Sequence, residues 1–97
     1  MLDLAPKHLE LLLKILRERI PNVRVYAYGS RVTGQARPFS DLDLALEGDA
    51  PIPSDRLALL REDLTESDLP MRVDLVDLQR ITGPFKDVVN AQRVAVA

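Results

Sequence analysis

Apolar positions repeat along this chain with two alternating periods. In residues 6–20, leucines and isoleucines recur every three or four positions, which is the spacing of one buried helix face. Pro6 suits the first turn of this helix, and Pro21 ends it. In residues 23–28, β-branched and aromatic residues alternate with a period of two, which predicts a strand that leads directly into Gly29.

The rest of the pattern predicts six further elements. Gly34 ends a short helical stretch at residues 31–33, and Ser54 or Asp55 can cap a helix at residues 53–67. This helix lies between two predicted strands, and we expect it to connect them as a crossover. The two flanking strands are predicted at residues 42–47 and 71–78. The tail is predicted to form a short helix after Pro84 and a brief edge strand at residues 94–96.

Length and charge limit the classes of protein that this chain represents. Of its 97 residues, 46% are hydrophobic and 29% charged, so we expect residues 1–97 to form a single domain. A domain of this size buries only roughly 60–70% of its unfolded surface, and we therefore expect it to associate as a hetero- or homo-oligomer. A net charge of −2 gives no general attraction to nucleic acid, so no DNA binding is expected.

The absence of cysteine and the composition of the N-terminus bear on location. No cysteine is present, which excludes disulfides and thiolate chemistry and fits a reducing cytosol. The first apolar run has no basic region before it and is interrupted by charges, so neither a signal peptide nor a membrane-spanning helix is expected. We predict a cytoplasmic protein. Its single histidine, His8, has no nucleophile near it in the sequence, and we expect it to be an ordinary surface residue.

Two aspartates mark the strand at residues 42–47. Asp41 and Asp43 are two positions apart, so their side chains leave the same face of the strand while the intervening leucine faces the core. Two such carboxylates, joined by a third from a neighbouring strand, would repel by roughly 3 kcal/mol per pair at about 5 Å and an effective dielectric of about 20. A bound Mg²⁺ or Mn²⁺ ion would remove this repulsion. The alternative is that both aspartates simply face water at the end of a strand.

A glycine and a serine follow the first strand. Gly29 allows the backbone to approach phosphate oxygens, and the Ser30 hydroxyl and nearby amides can donate hydrogen bonds to them. The alternative is a turn that merely needs a positive φ. The helix end contributes only about 0.3–1 kcal/mol when exposed, so a metal ion would have to neutralise most of the phosphate charge.

The combined pattern resembles the minimal nucleotidyltransferase family of the DNA polymerase β superfamily. The signature of that family is glycine-serine on a helix-opening turn followed by aspartate-x-aspartate on the next strand, and this chain matches it at Gly29, Ser30, Gly34, Ser40, Asp41 and Asp43. Asp74, within Val-Asp-Leu-Val, stands where the family has its third carboxylate. The resemblance extends over about residues 6–85. It implies an α/β (α+β) nucleotidyltransferase fold with helices packed on a small mixed sheet.

The resemblance also implies a role for each site residue. Asp41, Asp43 and Asp74 are expected to be the catalytic carboxylates and to hold Mg²⁺ or Mn²⁺. The nucleoside triphosphate, ATP by preference, is expected to contact Gly29, Ser30, Arg31 and Ser40.

Several charged residues allow a second interpretation. Asp77 is the alternative to Asp74 as the third carboxylate. The two are three residues apart in a strand, so they face opposite sides and only one can lie near Asp41 and Asp43. The family match selects Asp74. For Arg31 and Arg37, a surface charge is as good an interpretation as a triphosphate contact. Glu47 shares the parity of Asp43 and is expected to be solvated at the strand end.

Two functions from different classes follow from the resemblance. The first is an enzyme that transfers a nucleotidyl group, AMP from ATP by preference, to a hydroxyl on a partner or a small molecule. The second is a non-catalytic or weakly catalytic antitoxin that neutralises a helical HEPN-type protein by forming a complex with it. The two are compatible, since antitoxins of this kind are thought to modify their toxins. Three mutually repelling aspartates favour the enzyme, because a pure binding module has no need of them.

Overall fold

Helices and strands alternate along the chain, as the two spacings of apolar residues predict. The computed structural model describes residues 2–97. The helices are α1 (Pro6–Arg19), α2 (Ser30–Thr33), α3 (Ser54–Glu66) and α4 (Pro84–Gln92). The strands are β1 (Arg24–Tyr28), β2 (Leu42–Glu47), β3 (Val73–Asp77) and β4 (Val94–Ala95). Every predicted element is therefore present, with bounds that differ by one or two residues.

The four strands form one mixed sheet in the order β3-β2-β1-β4. β1 runs antiparallel to both β2 and β4, whereas β2 and β3 are parallel and are connected by α3. The mixed sheet implied by the family resemblance and the crossover predicted between β2 and β3 are both confirmed. This topology matters for function because it places the C-terminal end of β1 next to the N-terminal ends of β2 and β3.

Helices cover both faces of the sheet. On one face, α1 and α3 pack against the alternate leucines of β2, and Leu42, Leu44 and Leu46 have no exposed surface. On the other face, Val89 of α4 packs with Ala45 in a smaller cluster. The smaller helix leaves part of that second face open, and the aspartates of the sequence motif lie there.

The start of α3 differs from the prediction. Pro53 occupies the N-cap position, and no side chain caps the helix. Neither Ser54 nor Asp55 acts as the cap, because both already lie within the first turn. Asp55 instead places a negative charge near the helix N-terminus, where the helix dipole favours it.

Among the helices of residues 2–97, none has both the length and the apolar character that crossing a lipid bilayer requires.

Candidate active site

Three side chains form a row across the open face of the sheet. In the strand register, Asp43 of β2 lies opposite Tyr28 of β1 on one side and Asp74 of β3 on the other. Directly opposed residues point to the same face, and in the antiparallel pair of Tyr28 and Asp43 the Cβ atoms are expected to be about 4.5–5.5 Å apart. Asp41 precedes β2 and is exposed, with the same parity as Asp43. The fold therefore brings the three predicted carboxylates to the same face of the sheet, near the N-terminal ends of β2 and β3.

The charges in this row influence one another. Burial raises the pKa of Asp43 above its usual value, and the negative charges of Asp74 and Asp41 raise it further. Burial likewise raises the pKa of Tyr28, and Asp43 and Asp74 add to the effect. Asp43 is thus a half-buried carboxylate surrounded by like charge. A cation between these groups would remove the repulsion.

Carboxylate oxygens are suitable ligands for a hard divalent cation, but the three carboxylates do not converge on a single metal position. Within residues 2–97, no three acidic or histidine side chains are close enough to form a ready metal cage. Asp74 accepts a hydrogen bond from the Arg72 Nε at 3.1 Å, in a pair that is largely exposed. Exposed ion pairs contribute only about 0–1 kcal/mol, so an arriving cation can replace Arg72. All-oxygen donors suit Mg²⁺ or Mn²⁺.

Gly29 forms the turn directly beside Asp43. Its φ of +81° and ψ of −157° lie in a region that only glycine adopts without strain. A Cβ atom at this position would collide with the Asp43 carboxylate oxygen Oδ2. The glycine is therefore required for the close approach of the turn to Asp43, a reason that the sequence did not reveal.

Gln92, the last residue of α4, fixes the same turn from the side. Its Oε1 accepts a hydrogen bond from the Gly29 N–H at 2.9 Å. The described residues 2–97 provide no hydrogen-bond acceptor for the next amide, the Ser30 N–H at the start of α2. The same holds for the Arg31 N–H, so the first two amides of α2 are free donors among residues 2–97. No local sequence signal identified Gln92, because it is 63 residues away from its partner.

Arg31 lies elsewhere than predicted. Its side chain is buried and donates to the carbonyl oxygens of Ser40, at 2.8 and 3.0 Å, and of Asp3, at 2.9 Å. Both earlier interpretations, a phosphate contact and a surface charge, are replaced by a structural role. Arg31 holds the loop before β2, and hence the backbone that leads into Asp41, against the N-terminal segment. Arg37, by contrast, is exposed.

Ser40 belongs to the same loop. Its carbonyl accepts from Arg31, and its Oγ accepts a hydrogen bond from the backbone N–H of Arg37 at 2.8 Å. These bonds make Ser40 a part of the loop structure. Its hydroxyl acts only as an acceptor toward Arg37, so its own O–H can still donate to a phosphate oxygen.

Replacing Arg31 with methionine is expected to destabilise the protein by about 2–4 kcal/mol, because buried carbonyls lose charged donors that contribute about 1.5–3 kcal/mol each. Arg31→Lys should recover only part of this loss, since an ammonium group lacks the planar fork that reaches both carbonyls. Urea denaturation at neutral pH measures both variants. A loss below 1 kcal/mol for Arg31→Met would contradict the structural role.

Asp77 faces the opposite side of the sheet from Asp74. It is buried and accepts hydrogen bonds from the backbone N–H groups of Ile52, at 2.8 Å, and Gln79, at 2.9 Å. Arg80 forms an ion pair with it at 3.3 Å. Asp77 is thus an anchor for the loop before α3 and is remote from Asp41 and Asp43.

Glu47 is not a simple solvated strand end. It forms ion pairs with Arg24 at 3.0 Å and with Arg93 at 3.3 Å. Burial alone would raise the pKa of Glu47, but the hydrogen bonds from these two arginines outweigh it, and the pKa lies below its usual value. The residue therefore ties β1, β2 and the end of α4 together at the far end of the sheet.

Comparisons with known proteins agree with this geometry. Residues 9–96 match the family model of the nucleotidyltransferase domain. The probable protein adenylyltransferase MntA of Haemophilus influenzae is 37% identical over 95 residues, which cover 98% of this chain and 83% of that protein. A crystal structure of a toxin–antitoxin complex with AMP-PNP is similar with a TM-score of 0.77 and 27% identity, over 92% of this chain and 72% of that chain.

A further solved structure supports the fold alone. It contains a tri-AMPylated Shewanella oneidensis HEPN toxin in complex with an MNT antitoxin, and the matching chain is 24% identical with a TM-score of 0.70, over 94% of this chain and 70% of that chain. The family resemblance noted in the sequence is thereby confirmed, and so is the predicted fold class. Since the family model extends over residues 9–96 and a relative shares 37% of its residues, this chain belongs to the nucleotidyltransferase domain family.

Proposed function

We propose that this protein transfers AMP from ATP to a hydroxyl group on a partner protein, a helical toxin of the HEPN type. The observation that carries the proposal is the row in which Asp43 lies opposite Asp74, with the Gly29 turn against the Asp43 carboxylate. This arrangement places an acidic cluster directly beside a turn with a free amide. Because ATP is the donor and no cysteine is present, we place the reaction in the cytoplasm.

The carboxylates would hold the metal that the reaction needs. Asp41, Asp43 and Asp74 are the residues that we assign to Mg²⁺, with Arg72 leaving Asp74 as the site fills. When bound, Mg²⁺ would neutralise the triphosphate charge and orient the attacking oxygen. Asp43 is the central ligand in this assignment, because it is the one flanked by both other carboxylates.

The remaining residues position the substrate. The free Ser30 N–H and the Ser30 hydroxyl are assigned to the outer phosphates, and the Gly29 peptide is kept in place by Gln92. In the reaction, the acceptor oxygen forms a bond to the α-phosphorus of ATP. The bond between that phosphorus and the oxygen bridging the α- and β-phosphates breaks. Pyrophosphate leaves, and the hydroxyl proton is released.

The relatives support the donor and the partner. The Haemophilus influenzae relative has the name of a probable protein adenylyltransferase, which supports AMP as the transferred group and a protein as the acceptor. The structure at 27% identity is a toxin–antitoxin complex with the ATP analogue AMP-PNP, which supports both the nucleotide and the kind of partner.

A label-transfer experiment tests the proposal. The protein is incubated with ATP labelled at the α-phosphate, Mg²⁺ and a candidate partner, a helical HEPN-type protein, and we expect the partner to become labelled. Asp41→Asn with Asp43→Asn should abolish labelling, whereas Asp49→Asn, an exposed loop residue with the same change of charge, should not. A stable complex without any label transfer would favour the non-catalytic antitoxin instead.

A further inference from the structure

Strand β3 lies at the end of the sheet and has one partner strand within residues 2–97. The Leu42 N–H donates to the Arg72 carbonyl and the Leu78 N–H donates to the Leu46 carbonyl, both at 2.9 Å. These two bonds fix which β3 groups face β2, and backbone groups alternate along a strand. The N–H and C=O groups of Val73 and Leu75 therefore face outward.

The outer edge of β3 also presents half-buried apolar side chains. Val73, Leu75 and Val76 are only half-buried, whereas Leu44 and Ala45 of the neighbouring β2 have no exposed surface. Natural proteins protect such an edge with charged side chains, proline or a bulge. β3 contains no lysine or proline, and its two charges, Asp74 and Asp77, do not lie at the outward-facing backbone groups of Val73 and Leu75. An edge of this kind is suited to pairing with another strand.

A groove runs along this edge between β3 and α3. It has a volume of about 490 Å³, and apolar side chains of Leu64, Leu69 and Met71 line it. Arg61 and Arg72 give it positive charge. Asp74, a member of the candidate active site, lines the same groove. The groove is thus continuous with the place where we put the reaction.

The register shows what a strand added to this edge would do. Its residue opposite Asp74 would point to the same face as Asp74, with Cβ atoms about 4.5–5.5 Å apart. The row of Tyr28, Asp43 and Asp74 would then gain a fourth member from the added strand. A hydroxyl on that fourth residue would lie next to the carboxylates.

We propose that the outer edge of β3 and its groove bind the acceptor as an extended, acidic segment of the partner protein, which pairs with β3 and brings its hydroxyl beside Asp74. The proposal rests on the nucleotidyl transfer proposed above and names the form in which the acceptor binds. Main-chain hydrogen bonds to Val73 and Leu75 hold the segment, and Arg61 and Arg72 select its acidic side chains.

Charge favours such a segment over a second copy of this chain. The groove is lined by two arginines and one aspartate, so a second copy would bring the same net positive charge to this edge. A segment rich in aspartate and glutamate meets the opposite charge. It also offers Arg72 a new partner when Asp74 is released for a metal ion.

A peptide-binding experiment tests this without ATP or transfer. The probe is a ten-residue peptide in which valines and glutamates flank a central serine, added to ¹⁵N-labelled protein at neutral pH. The amide signals of Val73 and Leu75 should shift, whereas those of Val94 and Ala95, on the opposite edge of the sheet, should not. A peptide with lysine in place of glutamate should bind at least about tenfold more weakly.

Matched variants separate the groove from general charge effects. Arg61→Glu combined with Arg72→Glu should weaken peptide binding about tenfold or more, while Arg56→Glu, exposed on the same helix but outside the groove, should not. Shifts at β4 instead of β3, no binding, or protection of the β3 amides by self-association would each overturn the proposal. The peptide experiment contains no nucleotide, so its outcome does not depend on whether the protein transfers AMP. A failure of the binding proposal can therefore be distinguished from a failure of the proposed function.

Discussion

Replacing Gly29 with alanine is expected to destabilise the protein by about 2–4 kcal/mol and to abolish nucleotidyl transfer. The backbone at this position has φ +81° and ψ −157°, a conformation that costs of order 1–3 kcal/mol for a residue with a side chain. The new Cβ would also collide with Oδ2 of Asp43. Either the turn or the central carboxylate must move, so the site is lost along with stability.

Gly34 provides the control for this prediction. Its φ is also positive, at +83°, but with ψ 14° it is in the left-handed helical region. Apart from its immediate neighbours in the chain, a Cβ there would meet no atom of residues 2–97 within 4 Å. Gly34→Ala should therefore cost only about 1–2 kcal/mol and leave transfer largely intact. Urea denaturation and label transfer on both variants give the comparison. Equal losses of activity would show that the contact with Asp43 is unimportant.

Replacing Asp43 with asparagine is expected to have opposite effects on stability and activity. Without divalent ions, the variant should melt at a higher temperature than the wild type, because it removes a half-buried charge that faces Asp41 and Asp74. With Mg²⁺ or Mn²⁺, the wild type should gain stability and the variant should not. Transfer should fall by more than about 100-fold, since losing even a group that supports a metal ligand costs about 10–100-fold.

The stability difference should depend on pH with a defined sign. The pKa of Asp43 is raised above its ordinary value of 3.8, so the folded state holds this proton more tightly than the unfolded state. The wild type should therefore lose stability relative to Asp43→Asn as the pH rises from 3.8 through the raised pKa. Melting without metal across this range measures it, with Asp49→Asn as the control for a change of charge. A difference that shrinks with rising pH would contradict the assignment.

Much of the fold follows from local patterns in the sequence. The helix at residues 6–20 and the strands on either side of the glycine turn were predicted because their apolar spacing matches a helix or a strand over many consecutive residues. Parity along a strand was also enough to place Asp41 and Asp43 on the face opposite the core leucines. The same parity separated Asp74 from Asp77, as the structure bears out.

Contacts between distant residues could not be predicted in this way. Arg31 looked like a surface or phosphate-binding residue because its neighbours in the sequence are polar and glycine-rich. Its actual partners, the carbonyls of Ser40 and Asp3, are brought together only when the N-terminal segment packs beside the loop. Gln92 meets Gly29 only through the docking of α4 on the sheet.

By itself, the sequence determined the order of helices and strands, the shared face of Asp41 and Asp43, and the family to which the chain belongs. The first two depend on spacing within single elements, and the family depends on residue types at motif positions along the chain. Only the tertiary structure decided that Asp74 lies opposite Asp43, that Gly29 is required by contact with that carboxylate, and that β3 is an edge strand. The physical reason is that register and strand order arise from packing between segments far apart in the chain, which no local pattern encodes.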